Sequence, residues 1–346
     1  MKTLIIGGGL SGLALARGLE AKGHDYLLLE ARNRFGGRIK TAHHGAGYFD
    51  MGPAWFWPGQ PRIAALIDRL GLEKFDQYSS GILTHEDETG QVHRGRGFSG
   101  MQGSWRLKGG LAALTQRLAD DLPQARKYLG APVKALIRQN RNITAILDDG
   151  RRFEARKVVL AMPPRIAAQI SFEPALPDAA MQSMQGIATW MAGQAKAVAV
   201  YETPFWREAG LSGDATSRIG PMVEIHDASP SAGGPNALFG FIGIPPQGRR
   251  DKATLRQHLI AQLARLFGPL AQAPAQVFVE DWAFDRYAAT TADHAPLFAH
   301  PRYGLPPAMT GLWDGDLQLA GSEVATEFGG YLEGALEAAE DVLKTY

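Results

Sequence analysis

The stretch Thr3-Leu4-Ile5-Ile6-Gly7-Gly8-Gly9-Leu10-Ser11-Gly12 decides the fold. Thr3 and the uninterrupted apolar run Leu4-Ile5-Ile6 read as a strand buried on both faces, the form that parallel sheets require. Gly7, Gly9 and Gly12 then fit G-x-G-x-x-G, ahead of an Ala- and Leu-rich helix over residues 10–19. Gly7 permits the tight turn, Gly9 lets backbone approach a diphosphate, and Gly12 allows helix and strand to pack closely. The helix start, led by Leu10 and Ser11, offers unpaired N–H groups and a positive dipole end to phosphates. A second apolar strand, Tyr26-Leu27-Leu28-Leu29, completes the strand–helix–strand order of a parallel βαβ unit. Glu30 ends that strand, where a carboxylate reaches ribose hydroxyls. The stretch predicts a dinucleotide site on an α/β, Rossmann-type domain with a parallel sheet.

The surrounding composition narrows the class. The chain has 346 residues, 45% hydrophobic and 21% charged, enough for about two globular domains. Its net charge of +1 gives no electrostatic case for nucleic acid or an anionic membrane as partner. The first apolar run is too short for a signal peptide, and no run is long enough to span a bilayer, so a cytoplasmic protein is expected. There is no cysteine, which excludes disulfides, thiolate catalysis and a cofactor tethered through sulfur. The nine histidines form no HExxH-type spacing, so no metal site is expected.

Helical patterns fall at residues 63–70, 111–122, 253–266 and 331–343, and strands at 158–161, 277–282 and 317–320. A small antiparallel meander is expected after Pro132, turned by Asp149-Gly150. Residues 84–103 read as loop with short hairpin strands near Ile82 and Val92, and a second sheet begins between Ile187 and Val200. Nucleotide-type elements thus lie at both ends and in the middle of the chain. The expected organisation is a discontinuous dinucleotide-binding domain over 1–58, 107–170 and 281–346. A smaller inserted α+β substrate domain takes 59–106 and 171–280.

A second clamp follows the first. In Glu30-Ala31-Arg32-Asn33-Arg34-Phe35-Gly36-Gly37-Arg38, Gly36 and Gly37 let amides come close while Arg38 offers a bidentate fork to phosphate oxygens. This pattern resembles the flavin-containing amine oxidase family, monoamine oxidase-like, in a short soluble bacterial-type form. Later segments resemble it too. Gly52-Pro53-Ala54-Trp55 is similar to the segment beneath the flavin ring, and Val133 to the residue whose backbone meets adenine. Ala320-Gly321-Ser322-Glu323 and Gly330-Tyr331-Leu332-Glu333-Gly334-Ala335 are similar to the family's C-terminal motifs, the second placing a helix start at the flavin pyrimidine. The resemblance implies FAD as cofactor, held by these residues and by Arg32. With no cysteine, and with Thr291 at the attachment position, it implies non-covalent flavin.

The stretch Ala195-Lys196-Ala197-Val198-Ala199-Val200-Tyr201-Glu202-Thr203-Pro204-Phe205-Trp206-Arg207 reads as a strand with one lysine in it. An edge strand is the ordinary place for such a lysine. In the family, however, this segment carries the lysine that approaches flavin N5 through water, which makes Lys196 the implied catalytic residue. Burial there favours its neutral form. Tyr331 matches one of two substrate-facing aromatic rings. At the other stands Ala292, leaving Trp282, Tyr287 or Trp55 as substitutes. The implied reaction moves hydride from an amine C–H to flavin N5, with imine hydrolysis to aldehyde and O2 reduced to H2O2. An amino-acid oxidase or desaturase on the same architecture is an alternative, Arg62, Arg106, Arg207 and Arg286 being the cations available for a carboxylate. A non-catalytic flavoprotein is another.

Overall fold

Strand Thr3–Ile6 is buried at every residue and sits at the centre of a five-stranded sheet. The computed structural model describes residues 2–295, 297 and 299–346. The sheet order is Leu317–Leu319, Lys157–Leu160, Thr3–Ile6, Tyr26–Leu29, Lys127–Tyr128, with every pairing parallel. Ile5, Leu28 and Val159 point into a core closed by helices Leu10–Ala21, Leu111–Asp120 and Leu332–Leu343. Leu4, Ile6, Leu27, Leu29, Val158 and Leu160 fill the opposite core, beneath a four-stranded sheet. Apolar residues on both faces of the three central strands are what a two-sided parallel sheet demands.

The expected meander is present as Val133–Gln139, Asn142–Leu147 and Arg152–Ala155, paired antiparallel. Its fourth strand is Ser171–Glu173, parallel to Val133–Gln139. A third, seven-stranded sheet runs in the order Gln276–Asp281, Ala195–Tyr201, Asn236–Ile242, Met222–Asp227, Leu211–Ser217, Ile82–Glu86, Val92–Gly95. Helix Lys252–Phe267 covers one face of it. Strand Ala195–Tyr201 is paired on both sides, so Lys196 is not an edge-strand lysine. Its alternation is strict: Ala195, Ala197, Ala199 and Tyr201 meet the core under that helix, while Val198 and Val200 meet Phe49 and Met51 of the nucleotide-binding part.

Two pieces expected in the inserted domain pack with the nucleotide-binding core instead. Helix Pro61–Arg69 buries Ile63, Leu66 and Ile67 among Leu10, Leu114 and Leu336. Strand Ser171–Glu173 extends the meander sheet, and helix Asp178–Gly186 places Ala180 and Met184 in the core below it. Among the described residues their buried apolar side chains cluster with that core, so contact rather than chain position sets their allegiance. Among the described residues no helix is long and apolar enough to cross a membrane. Nor does any group of three or more metal-ligating side chains converge among them.

The C-terminal helix also fixes helix Pro61–Arg69 electrostatically. Glu333, fully buried, accepts hydrogen bonds from the Arg62 and Ile63 backbone N–H groups at 2.9 and 2.8 Å. It thereby caps a helix that has no side-chain cap of its own. Replacing Glu333 by Ala leaves one buried and one part-buried N–H donor without this partner and is expected to lower the unfolding free energy by about 1–3 kcal/mol. Glu327→Ala, which removes an exposed partner of the same arginine, should shift the denaturant midpoint little.

Candidate active site

Gly7 leaves the first strand at φ +115°, a conformation that a side chain disfavours, and a Cβ there would stand 2.4 Å from the Ala161 carbonyl oxygen. A Cβ on Gly12 would stand 1.9 Å from the Gly7 carbonyl oxygen, so helix and turn meet backbone on backbone. No side chain caps helix Leu10–Ala21, and its first N–H groups remain available. The second glycine loop lies against the first: Gly36 N–H donates to the Gly8 carbonyl at 2.8 Å, and a Cβ on Gly37 would come within 3.3 Å of Gly9 Cα. Arg34 holds that loop from within, donating to the carbonyls of Ile39 at 2.9 Å and Gly37 at 2.8 Å. No role was expected for Arg34, because nothing local distinguishes an arginine that grips its own loop from one that grips a ligand.

Glu30 is buried with both carboxylate oxygens engaged, by Gly8 N–H at 2.7 Å and Arg32 N–H at 2.9 Å. Arg32 turns to Asp285, 2.6 Å away, and lies 5.2 Å from the centre of the Tyr287 ring. Arg38 reaches Glu323 Oε1 at 2.6 Å and donates to Ser322 Oγ at 3.0 Å, which aims the guanidinium at the gap between the loops.

A single cavity of about 490 Å³ begins here and ends at Lys196. Val133, Glu30 and Arg32 line one end. Gly7, Gly9, Leu10, Ser11, Gly36, Gly37, Arg38, Gly321 and Ser322 line its middle. Gly52, Pro53, Ala54, Trp55, Lys196, Trp282, Tyr331 and Leu332 line the rest. Gly12 and Glu323 do not reach the cavity. Gly12 supports the first turn from beneath, and Glu323 stands behind Ser322 as the partner of Arg38.

At the far end Lys196 is only 5% exposed, and its ammonium donates to the Gly52 carbonyl. The rings of Phe239, Phe241 and Trp55 surround Nζ at 4.6, 5.1 and 5.5 Å. Burial pulls its pKa down to about 7, with the Asp50 carboxylate opposing that shift and Arg106 adding to it. Trp55 is itself fixed, donating to Gln77 Oε1 at 2.8 Å and resting edge-on to His226 at 5.4 Å. Burial opposes protonation of His226, but bonds to Asp214 and Glu224 prevail and hold its pKa up at about 8. Trp282 is buried and donates to the Met51 carbonyl at 3.0 Å. Tyr331 precedes helix Leu332–Leu343, whose start also lacks a side-chain cap.

Of the three substitutes expected for the missing ring, Tyr287 lies beside Arg32 and Arg286, at the end remote from Lys196. Trp55 and Trp282 are at the Lys196 end. Ala292 is exposed and does not line the cavity. Trp190, Met191, Gln194 and Phe241 line it without having been anticipated. Their signal was slight: an aromatic residue shortly before the lysine strand, and another opposite Lys196 in a strand that only pairing reveals.

The family described as flavin containing amine oxidoreductase matches residues 10–100 and 93–343. The chain belongs to that family. A Mycobacterium tuberculosis protein that carries the name flavin-containing monoamine oxidase is 26% identical, over 97% of this chain and 94% of that protein. A putrescine oxidase of Kocuria rosea is 24% identical over 98% and 94%. The solved structure of a wild-type putrescine oxidase bound to putrescine superposes with a TM-score of 0.83 at 22% identity, covering 100% of this chain and 99% of that one. That likeness concerns the fold. The alignment with the mycobacterial protein spans 451 residues, longer than this chain, because the relative carries stretches that this chain lacks.

The lysine gives this member of the family a pH signature. Unfolded, the Lys196 ammonium titrates near 10.5; folded, it titrates near 7. Between those values the unfolded chain holds the extra proton, so stability rises with pH through that window and the burial penalty is complete below it. The shift from 10.5 to about 7 corresponds to a penalty on the order of 5 kcal/mol. Lys196→Met should therefore unfold at higher temperature than the wild type at pH 7, with a gap that shrinks toward pH 10. A gap of constant size would contradict the burial of a proton-poor lysine.

Proposed function

We propose that this chain oxidises small amines with non-covalently bound FAD, and that the cavity running from Glu30 to Lys196 carries both cofactor and substrate. The fit rests on the chain's own geometry. Two glycine loops meet with no side chain between Gly9 and Gly37, leaving a backbone cradle with free N–H groups and one aimed guanidinium. Glu30 would hold ribose hydroxyls, the starts of the glycine-loop helix and Arg38 the diphosphate, and Gly52-Pro53-Ala54-Trp55 the ring system. With no cysteine in the chain, nothing supports a thioether to the flavin.

When bound, the flavin supplies a two-electron acceptor, so that an amine C–H is oxidised to an imine, water releases the aldehyde, and dioxygen takes the electrons as hydrogen peroxide. The protein's part is placement and proton management. The uncapped start of helix Leu332–Leu343 favours negative charge at its end of the cavity. Lys196 stands at the same end with a pKa near neutrality, where it is able to hold a water and to take or return a proton at Nζ. The apolar walls around it favour the neutral amine, the form with a free lone pair.

The amine reading is favoured over an amino-acid one by the fate of the arginines. Arg62 is paired with Glu333 and Glu340, and Arg207 with Asp227. Arg106 is buried against the carbonyls of Ala228 and Ser229. Arg286 pairs with Asp148 at the opposite end of the cavity. Of these four guanidiniums, only that of Arg286 lines the cavity among the described residues, and it lies at the end remote from Lys196. A non-catalytic flavoprotein has no use for a lysine held at such desolvation cost. Titrated without oxygen, purified yellow protein should bleach on adding benzylamine but not phenylglycine, and should release peroxide when air returns. Bleaching by phenylglycine alone would turn the assignment to amino acids, and bleaching by neither would refute it.

A further inference from the structure

The face of the seven-stranded sheet that carries Lys196 also carries a row of side chains set by register. Lys196 stands opposite Phe241, and Phe241 opposite Glu224; one step along, Phe239 stands opposite His226. Residues two apart on a strand share a face, so Lys196, both rings, Glu224 and His226 lie on one side. The next strand adds Asp214, whose carboxylate reaches the His226 ring. Trp55 rests on this row from the nucleotide-binding half. Its ring centre lies 5.3 Å from that of Phe239, 5.4 Å from that of His226 and 5.5 Å from Lys196 Nζ.

His226 is held at both ring nitrogens, Nδ1 by Asp214 Oδ1 at 2.5 Å and Nε2 by Glu224 Oε1 at 2.7 Å. A neutral imidazole carries one N–H and an ionised carboxylate only accepts, so the two bonds together need two protons on the cluster. The bonds are unequal. Asp214 is buried and tied again by Ser99 Oγ at 2.6 Å, whereas the Glu224 side chain is 38% exposed. When the cluster gives a proton to solvent, the Glu224 bond is therefore the one that breaks. Burial opposes protonation, yet the two carboxylates hold the His226 pKa up at about 8, which puts that loss just above neutrality. The other groups packed on the ring are uncharged: Phe239, stacked at 6.3 Å and 14°, Trp55, and the loop at Gly100. Lys196 stands beyond, its Nζ 4.6 Å from the Phe239 ring. With one nitrogen released the imidazole is free to tilt, and with its charge gone it attracts the indole less.

We propose that His226 is a positioning residue of this cavity: clamped between Asp214 and Glu224, it pins the Trp55 indole against the row that holds Lys196, and a proton lost to solvent on the Glu224 side releases the pin. The pin belongs to the protein alone, and its consequence for turnover rests on the amine-oxidase reading.

Nuclear magnetic resonance of the flavin-loaded protein, ¹⁵N-labelled at tryptophan, follows the pin without turnover. The Trp55 indole N–H, assigned by its loss in Trp55→Phe, should shift with pH through a midpoint at about 8. Lys196→Met should keep this step, which separates it from titration of the lysine itself. Glu224→Gln offers an amide N–H to a neutral His226, so both bonds persist without the second proton. In that variant the resonance should hold its low-pH position throughout, and in His226→Gln the step should disappear. A wild-type indole that does not move near pH 8, or one that moves equally in Glu224→Gln, would overturn the proposal. Anaerobic flavin reduction by benzylamine is read on the same preparations. The rate of Glu224→Gln relative to wild type, in which ionisation of the amine cancels, should rise from about one at pH 7 to about threefold at pH 9 as the wild-type site loses its alignment. A ratio that stays constant would overturn the positioning role. An intact indole step without oxidation of any amine would leave the pin standing and remove the amine-oxidase reading.

Discussion

The contact between the Lys196 ammonium and the Gly52 carbonyl joins the two halves of this molecule. Lys196 belongs to a strand of the seven-stranded sheet, and Gly52 to the segment that crosses the nucleotide-binding half. A buried ammonium must find compensation for lost water, and here it finds one carbonyl, the faces of aromatic rings and the field of Asp50. The compensation is partial, which is why burial depresses the pKa to about 7. The same arrangement thus closes the cavity and sets the chemistry at its end. The strand's alternation makes it possible, with small alanines turned to the covering helix and the lysine turned to the cavity.

The nucleotide-binding half is assembled from distant pieces, and specific long-range contacts close it. Arg38 reaches Glu323, Arg32 reaches Asp285, Glu333 caps the helix that begins at Pro61, and Ser11 Oγ donates to the Ala320 carbonyl at 2.5 Å. Three of these four contacts also border the cavity, so assembly of the discontinuous core and shaping of the site are one event. In the inserted half, polar networks have a comparable role. Asp214 bonds both Ser99 and His226, all three buried and His226 edge-on to Trp55, which stiffens the wall beside the lysine.

What could be read in the sequence follows from how narrowly each position is constrained. The first glycine loop, Glu30 and the second loop tolerate few residue types, because backbone approaches backbone there, and they were legible at once. Lys196 was legible through the Tyr201 and Pro204-Phe205-Trp206-Arg207 register behind it, although its strand partners were not. Strand Leu211–Ser217 hides from periodicity: Ser212, Asp214 and Ser217 are buried polar residues, satisfied by partners far along the chain. The allegiance of helix Pro61–Arg69 depends on Glu333 across 271 residues, beyond any local signal. Trp190 was invisible for a related reason. Its loop is held by Asp293 at the Thr189 N–H and by Arg249 at the Gly193 carbonyl, both distant in sequence.

The chemistry at this end of the cavity depends most on the buried Lys196 having its pKa drawn down to about 7. Nuclear magnetic resonance of protein labelled with ¹³C at lysine Cε, titrated from pH 5 to 11 with Lys196→Met as the assignment control, measures this directly. One lysine resonance should titrate near pH 7 and vanish in the variant. A spectrum in which no lysine resonance titrates near pH 7, or in which the one that does persists in Lys196→Met, would contradict this reading of Lys196.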